Sequence, residues 1–277
     1  MKPDDKHRLM FLVSSLLLIL PAAAYAQEQG AASALVSRAE REEFLLRAAI
    51  VNEAGLSFSL RRSARASLDD GKRKHDAVVE TRQDHRFNVA AYELDKILEL
   101  GFVSPTVERT VNGLGSAVTW WLDDVLTDAI DQRRKGLEPP DREGWDKQLQ
   151  AVRVFDALIA NGCRANGPAF DPVVCDVHGG GMGITRDWRV WLIEHTKAFG
   201  TTRTLDDVQS LTGCDRGLLD RLRLANKEVL TRRLDKFLTS EQLDALDTRR
   251  ALIVRHFDEL VARKVGRAVL YDLPPRP

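Results

Sequence analysis

The chain has 277 residues, 44% of them hydrophobic and 30% charged, with 41 basic and 41 acidic side chains that cancel to zero net charge. This composition is too apolar for a disordered chain, and the charge balance leaves no electrostatic footprint for nucleic acid or an anionic membrane. The length suits one large domain or two closely joined lobes with a sizeable core.

Lys2, Lys6, His7 and Arg8 form a basic start, Met10 to Leu20 is apolar, and Pro21 to Ala26 supplies small residues ending in Ala24-Tyr25-Ala26. These are the three parts of a secretory signal peptide, with cleavage expected after Ala26. A membrane anchor needs roughly 20 apolar residues, and this run meets Pro21 well before that length. Residues 1–26 therefore read as a leader, and the mature chain from Gln27 to Pro277 is expected to be periplasmic or secreted, with no stable membrane span after cleavage.

Ser37 to Asn52 reads as one helix, capped by Ser37, with Glu40, Glu42 and Glu43 near its positive end and Phe44, Leu45, Ala48 and Ala49 as its apolar stripe. Two β-type runs follow, Phe58 to Arg62 and His75 to Glu80, with Asp69-Asp70-Gly71 as a turn signal between them. Arg86 to Leu100 has apolar residues at helical spacing and Gly101 as its stop. Thr106 to Val111 and Ser116 to Leu122 flank Asn112-Gly113-Leu114-Gly115 as a second hairpin. After Glu138-Pro139-Pro140, Asp141 caps a helix carrying Trp145, Leu149, Val152, Phe155 and Ile159 and ending at Asn161-Gly162. A Gly-rich loop leads to a short strand, Trp188 to Ile193. Asp215 to Leu270 reads as three helices, the longest starting at a Thr239/Gln242 capping box.

An oxidising compartment permits one disulfide among Cys163, Cys175 and Cys214. Cys163 and Cys175 enclose a short loop and are the expected pair, although the sequence leaves all three pairings open. Cys163 as a nucleophile lacks a His at a family-specific spacing.

The element order and several strings resemble the atypical kinase superfamily that includes phosphatidylinositol 3-/4-kinases and the secretory-pathway casein kinase, and most of all its exported or membrane-associated bacterial members. The strings are Leu68-Asp69-Asp70-Gly71 with His75-Asp76-Ala77, then Phe87-Asn88-Val89-Ala90-Ala91-Tyr92-Glu93-Leu94-Asp95, Trp120-Trp121-Leu122-Asp123-Asp124, Val154-Phe155-Asp156-Ala157-Leu158-Ile159-Ala160-Asn161, and the stretch from Asp187 to Phe199. The resemblance implies an α+β, two-lobed protein-kinase-like fold. Residues 27–124 would form a small strand-containing lobe with an N-terminal helix, and residues 125–277 a mainly helical lobe with a degenerate catalytic loop.

Such a kinase needs a Lys–Glu pair, a catalytic Asp and metal-binding side chains around Mg-ATP. The family loop reads approximately Asp-Arg-Asn-x-x-Asn, whereas this chain has Gly162-Cys163-Arg164-Ala165-Asn166-Gly167-Pro168. Cys163 stands for the catalytic Asp, Arg164 matches, and the metal-binding Asn falls on Pro168 or shifts to Asn166. Glu80 ends the strand that should carry the phosphate-binding Lys, and Asn88 sits where its Glu partner should project. Glu194 replaces the metal-binding Asp but keeps an oxygen ligand suited to Mg²⁺.

The expected function is thus binding or scaffolding through a protein partner, with no cofactor. Two alternatives stay open: an active kinase using Mg-ATP, Glu194 and Asp171 or Asp176 of the 166–185 insertion on an extracytoplasmic substrate, and a structural envelope protein. Trp120 and Trp121 alternate on a strand, one toward the core and one toward solvent or an adenine-type cleft. Asp69-Asp70-Gly71 reads as a plain turn, because carboxylates there would repel phosphate. Arg164 reads as structural, holding an acidic neighbour. His75, His195 and His178 match no zinc spacing, and Gly179 to Gly183 is permissive backbone without the context of a nucleoside-triphosphate loop.

Overall fold

The structure, a computed structural model, describes residues 37–52, 63–81, 83–162, 164, 181–263 and 269–276. Helix α1 (Arg38–Arg47) begins at a complete capping box: the Glu40 backbone N–H donates to Ser37 Oγ at 3.2 Å, and the Ser37 N–H to Glu40 Oε2 at 2.8 Å. The helix stops earlier than its apolar stripe suggests. Ala49–Asn52 leaves as strand β1, with the β-branched Ile50 and Val51 extended against β2 (Ser63–Asp69). The single helix expected to reach Asn52 is therefore a helix followed by a strand.

β2 is also the first strand of the first hairpin, a place the sequence reading gave to Phe58 to Arg62, which lies outside the described residues. Its true signal is the alternation of Ala64, Ala66 and Leu68, all buried, against Ala77 and Val79 of β3 (Lys74–Glu80). Small inward alanines carry little hydrophobic weight, so the alternation is faint in the sequence. Asp69 Oδ1 accepts the Gly71 N–H, and Asp70 Oδ1 accepts those of Lys72 and Arg73. Both carboxylates are spent on the turn, as expected.

Helix α2 (Arg86–Leu98) ends two residues short of the expected Leu100, with Glu99 left-handed at its end. β4 (Thr106–Val111) and β5 (Leu114–Trp120) follow. Val111 pairs with Leu114, and both Asn112 and Gly113 have positive φ, so the connection is a two-residue turn of the type whose twist suits a hairpin. The sheet order is β1-β2-β3-β5-β4. Phe44, Leu45, Leu68, Val79, Val118 and Trp120 form the core between this sheet and α1.

Strand β6 (Val125–Asp128) and the short helix α3 (Ala129–Arg134) were not foreseen. β6 pairs with β7 (Met182–Thr185), and β7 with β8 (Val190–Leu192), in a three-stranded sheet. The glycines of Met182 to Thr185 suggest a loop, but pairing with β6 and β8 makes the segment a strand. Between these strands in sequence runs helix α4 (Arg142–Ile159), capped by Asp141 and ended by the left-handed Ala160. The three expected C-terminal helices are α5 (Arg216–Leu224), α6 (Lys227–Leu234) and α7 (Ser240–Arg263), the last with its Thr239/Gln242 box formed.

The larger core joins α2 to the helical half: Tyr92, Leu94, Leu98 and Phe102 meet Phe155, Leu158, Ile253 and Phe257. Arg249 is buried within that half, donating to the carbonyls of Leu158, Gly200 and Thr202, and burial pulls its pKa down to about 10. Cys214 opens the short strand β9 (Cys214–Asp215), which pairs in parallel with β10 (Leu270–Tyr271). Its thiol is buried and free, and desolvation raises its pKa. The expected Cys163–Cys175 pairing lies outside the described residues.

The fold is α+β, with a strand-rich half followed by a mainly helical half. Among the described residues no helix is long and apolar enough to cross a membrane.

Candidate functional site, a cleft closed by Asn88

The end of β3 delivers Glu80, the first turn of α2 delivers Asn88, and the segment leaving β8 delivers Ile193, Glu194 and His195. Asn88 joins all three segments. Its amide N–H donates to Glu80 Oε2 at 2.6 Å, and its Oδ1 accepts the backbone N–H of His195 at 2.6 Å. Glu80 and Asn88 are both buried. The two altered positions of the expected Lys–Glu pair thus come together as a carboxylate–amide hydrogen bond, in which the strand member is acidic and the helix member neutral.

Glu194 has φ 55°, a left-handed conformation that costs a non-glycine residue of order 1 kcal/mol or more. It is held from both sides. Arg164 Nη1 donates to the Ile193 carbonyl at 3.0 Å on one side, and Asn88 holds the His195 N–H on the other. The His195 ring packs edge-on against Phe155, and its Nε2 is buried without a hydrogen-bond partner. Loss of hydration, and secondarily the Arg164 charge, holds this imidazole well below its ordinary pKa.

Arg164 is almost completely buried, and its guanidinium is committed. Nε lies 3.1 and 3.0 Å from the Asp156 carboxylate oxygens, Nη2 donates to Oδ1 at 3.1 Å, and Nη1 also donates to the Gly181 carbonyl. The acidic neighbour it holds is Asp156. Its partner Asp156 was missed in the sequence, where it is one acidic residue on a mostly apolar helix face.

Glu80, Asn88 and Ile193 to His195 line a cavity of about 290 Å³, together with Val78, Val103, Trp120, Trp121, Leu122 and Leu192. Trp120 is buried in the core of the first sheet and stacks on His75 at 3.6 Å between ring centroids. Trp121 is half-buried beneath the Arg65 guanidinium. Both residues border the cavity. His75 is fixed by Asp123 Oδ2 and the Asp76 carbonyl, each at 2.7 Å. The lining also includes Asp128, which caps α3, and among the described residues it contains no Lys or Arg.

Cys163, Asn166, Asp171, Asp176 and His178 lie outside the described residues. Among those that are described, no three His, Cys, Asp or Glu side chains gather as a metal site. Asp95, Asp156 and Arg276 organise the surroundings of the cleft without being foreseen. The one sequence clue was the position of the first two inside the strings that carried the resemblance.

No family model matches the chain, and no curated protein matches it. Among solved structures, a proinflammatory kinase of Helicobacter pylori, CtkA, is similar with a TM-score of 0.46 and 12% identity, over 81% of this chain and 95% of that one. At that distance the similarity assigns no residue.

Proposed function

We propose that this is an exported kinase-fold protein whose cleft no longer transfers phosphate and serves as a binding or scaffolding module for a protein partner. The observation that carries the reading is the Asn88–Glu80 hydrogen bond between two residues that line the cleft. Phosphoryl transfer depends on positioning and on positive charge held against the phosphates. Here the strand position carries a carboxylate, its helix partner is neutral, and the retained Arg164 is consumed by Asp156 and two carbonyls. The Cys163 that stands for the catalytic Asp removes the base as well.

Export rests on the three-part leader, with a mature terminus at Gln27 that mass spectrometry of the secreted or periplasmic protein would identify. The decisive experiment incubates the exported protein with labelled ATP and Mg²⁺ or Mn²⁺, alone and with an envelope extract, beside a Glu194→Ala variant. The expected result is background labelling in both. Label incorporated by the wild type and lost in the variant would establish an active kinase with Glu194 as a metal ligand.

A further inference from the structure

Both ring nitrogens of His75 face groups that accept a hydrogen bond and have no proton to give. Nε2 lies 2.7 Å from Asp123 Oδ2, and Nδ1 lies 2.7 Å from the Asp76 carbonyl oxygen. A neutral imidazole carries one N–H, so either tautomer satisfies one partner and sets a lone pair against the other. With a proton on each nitrogen the ring donates to both. The ring also stacks on the Trp120 indole, with 3.6 Å between centroids and 18° between planes, where a cation gains from the π face.

The charges around the ring come from each element packed on it. The connection after β5 supplies Asp123, in direct contact. β3 supplies the Asp76 carboxylate, which is held by Ser67 and Arg65. From α1, Arg41 lies over the same indole at 5.4 Å and is attracted by Asp123. Arg73, in the turn before β3, lies 5.9 Å over Phe44, whose ring stands edge-on to His75. β2 offers the apolar Leu68 opposite His75. The two guanidiniums oppose a proton on the ring, and the two carboxylates favour it. The Asp123 carboxylate, at hydrogen-bond distance, acts most strongly.

This contact sits where the chain passes between its halves. β5 ends at Trp120 and β6 begins at Val125. In between, the Trp121 N–H donates to the Asp76 carbonyl at 3.1 Å, while Asp124 is tied to the turn after β7, its carbonyl accepting the Arg186 N–H at 3.0 Å and its carboxylate meeting Arg186 Nε at 3.1 Å. The His75 bond fastens the middle of the connection, beside Trp121 and Leu122 of the cavity lining, to β3.

We infer that His75 is a pH-sensitive latch on the connection between the two halves: doubly protonated it holds Asp123 to β3, and loss of one proton releases the connection at the border of the cavity. The latch works the same way whether or not the cleft transfers phosphate.

The test follows the native exported protein by NMR from about pH 5 to about pH 8, the range in which histidine ordinarily changes charge. Ring nitrogen shifts report the protonation of His75, assigned with a His75→Gln variant. Exchange of the Trp121 amide, expressed as a protection factor so that base catalysis is divided out, reports the connection. Both nitrogens are expected to carry protons at the acidic end. Trp121 protection is expected to fall about tenfold or more as one proton leaves, the magnitude of one hydrogen bond to a charged group. Asp123→Asn can turn its amide N–H toward a neutral ring, and is expected to keep Trp121 protected throughout. A ring that keeps one protonation state across the range overturns the latch. So does Trp121 protection that fails to follow the ring's titration, or an Asp123→Asn protein with the wild-type response.

Discussion

Asp95 of α2 and Arg38 of α1 form an ion pair 2.6 Å long in which the carboxylate is fully buried. The same carboxylate accepts the backbone N–H groups of Gly101, Phe102 and Val103, at 3.2, 2.8 and 3.1 Å, and so shapes the turn between α2 and β4. Arg38 closes the loop by donating to the Val103 carbonyl.

Replacing Asp95 leaves these donors and the cation without an acceptor. Asp95→Ala is expected to cost about 3–5 kcal/mol, the range for removing one member of a buried pair. Arg38→Ala should cost less, because Arg38 is partly exposed and its loss leaves the three N–H groups satisfied. Urea unfolding followed by circular dichroism checks both values; equal losses would show that the turn contacts contribute nothing.

Arg164 spans a carboxylate and two carbonyls on different segments, a reach that depends on its planar fork. Arg164→Lys keeps the charge but cannot hold Asp156, Gly181 and Ile193 together. It is expected to lose about 2 kcal/mol or more and to release the Glu194 backbone. Unfolding midpoints measure the first effect, and backbone amide exchange at His195 measures the second.

His195 makes stability depend on pH. Its folded pKa lies below the unfolded value of about 6.5, so between the two the unfolded chain binds more protons. The contribution is complete above about 6.5 and is lost as the pH falls, with a slope of about 1.4 kcal/mol per pH unit at most. The melting temperature should therefore drop between pH 7 and pH 5. His195→Gln should flatten that drop, and an unchanged slope in the variant would assign it to other groups.

The C-terminal Arg276 lies over Phe102 and Trp191, with its guanidinium carbon 4.4 and 5.1 Å from the ring centroids, and Nη2 donates to the Val190 carbonyl at 2.7 Å. Gly101 makes room for it: a Cβ there would stand 2.8 Å from Arg276 Cβ, and the φ of 72° already disfavours a side chain. Arg276→Ala is expected to cost about 1–3 kcal/mol. Gly101→Ala should be at least as destabilising, and thermal melting of the two variants compares them directly.

The sequence revealed most where periodicity and local chemistry coincide. β4 was legible at its observed limits and α4 at its start, because a run of β-branched residues or an Asp cap marks them without help from distant chain. β2, β6 and β7 were not, because alanine and glycine alternate too quietly and only pairing with a distant strand makes them extended. The same limit applies to the site. Glu80 and Asn88 could be placed by position in the chain, but their hydrogen bond, and the dependence of Arg164 on Asp156, are facts of three dimensions.

The burial of Cys214 gives the chain an internal blank for thiol chemistry. A protonated sulfur shut inside the helical half offers reagents neither a nucleophile nor a path, so alkylating agents applied to the native protein pass it by. Any label the folded chain takes up reports on Cys163 or Cys175 alone, and the free thiols among those two can be counted without first removing the third cysteine.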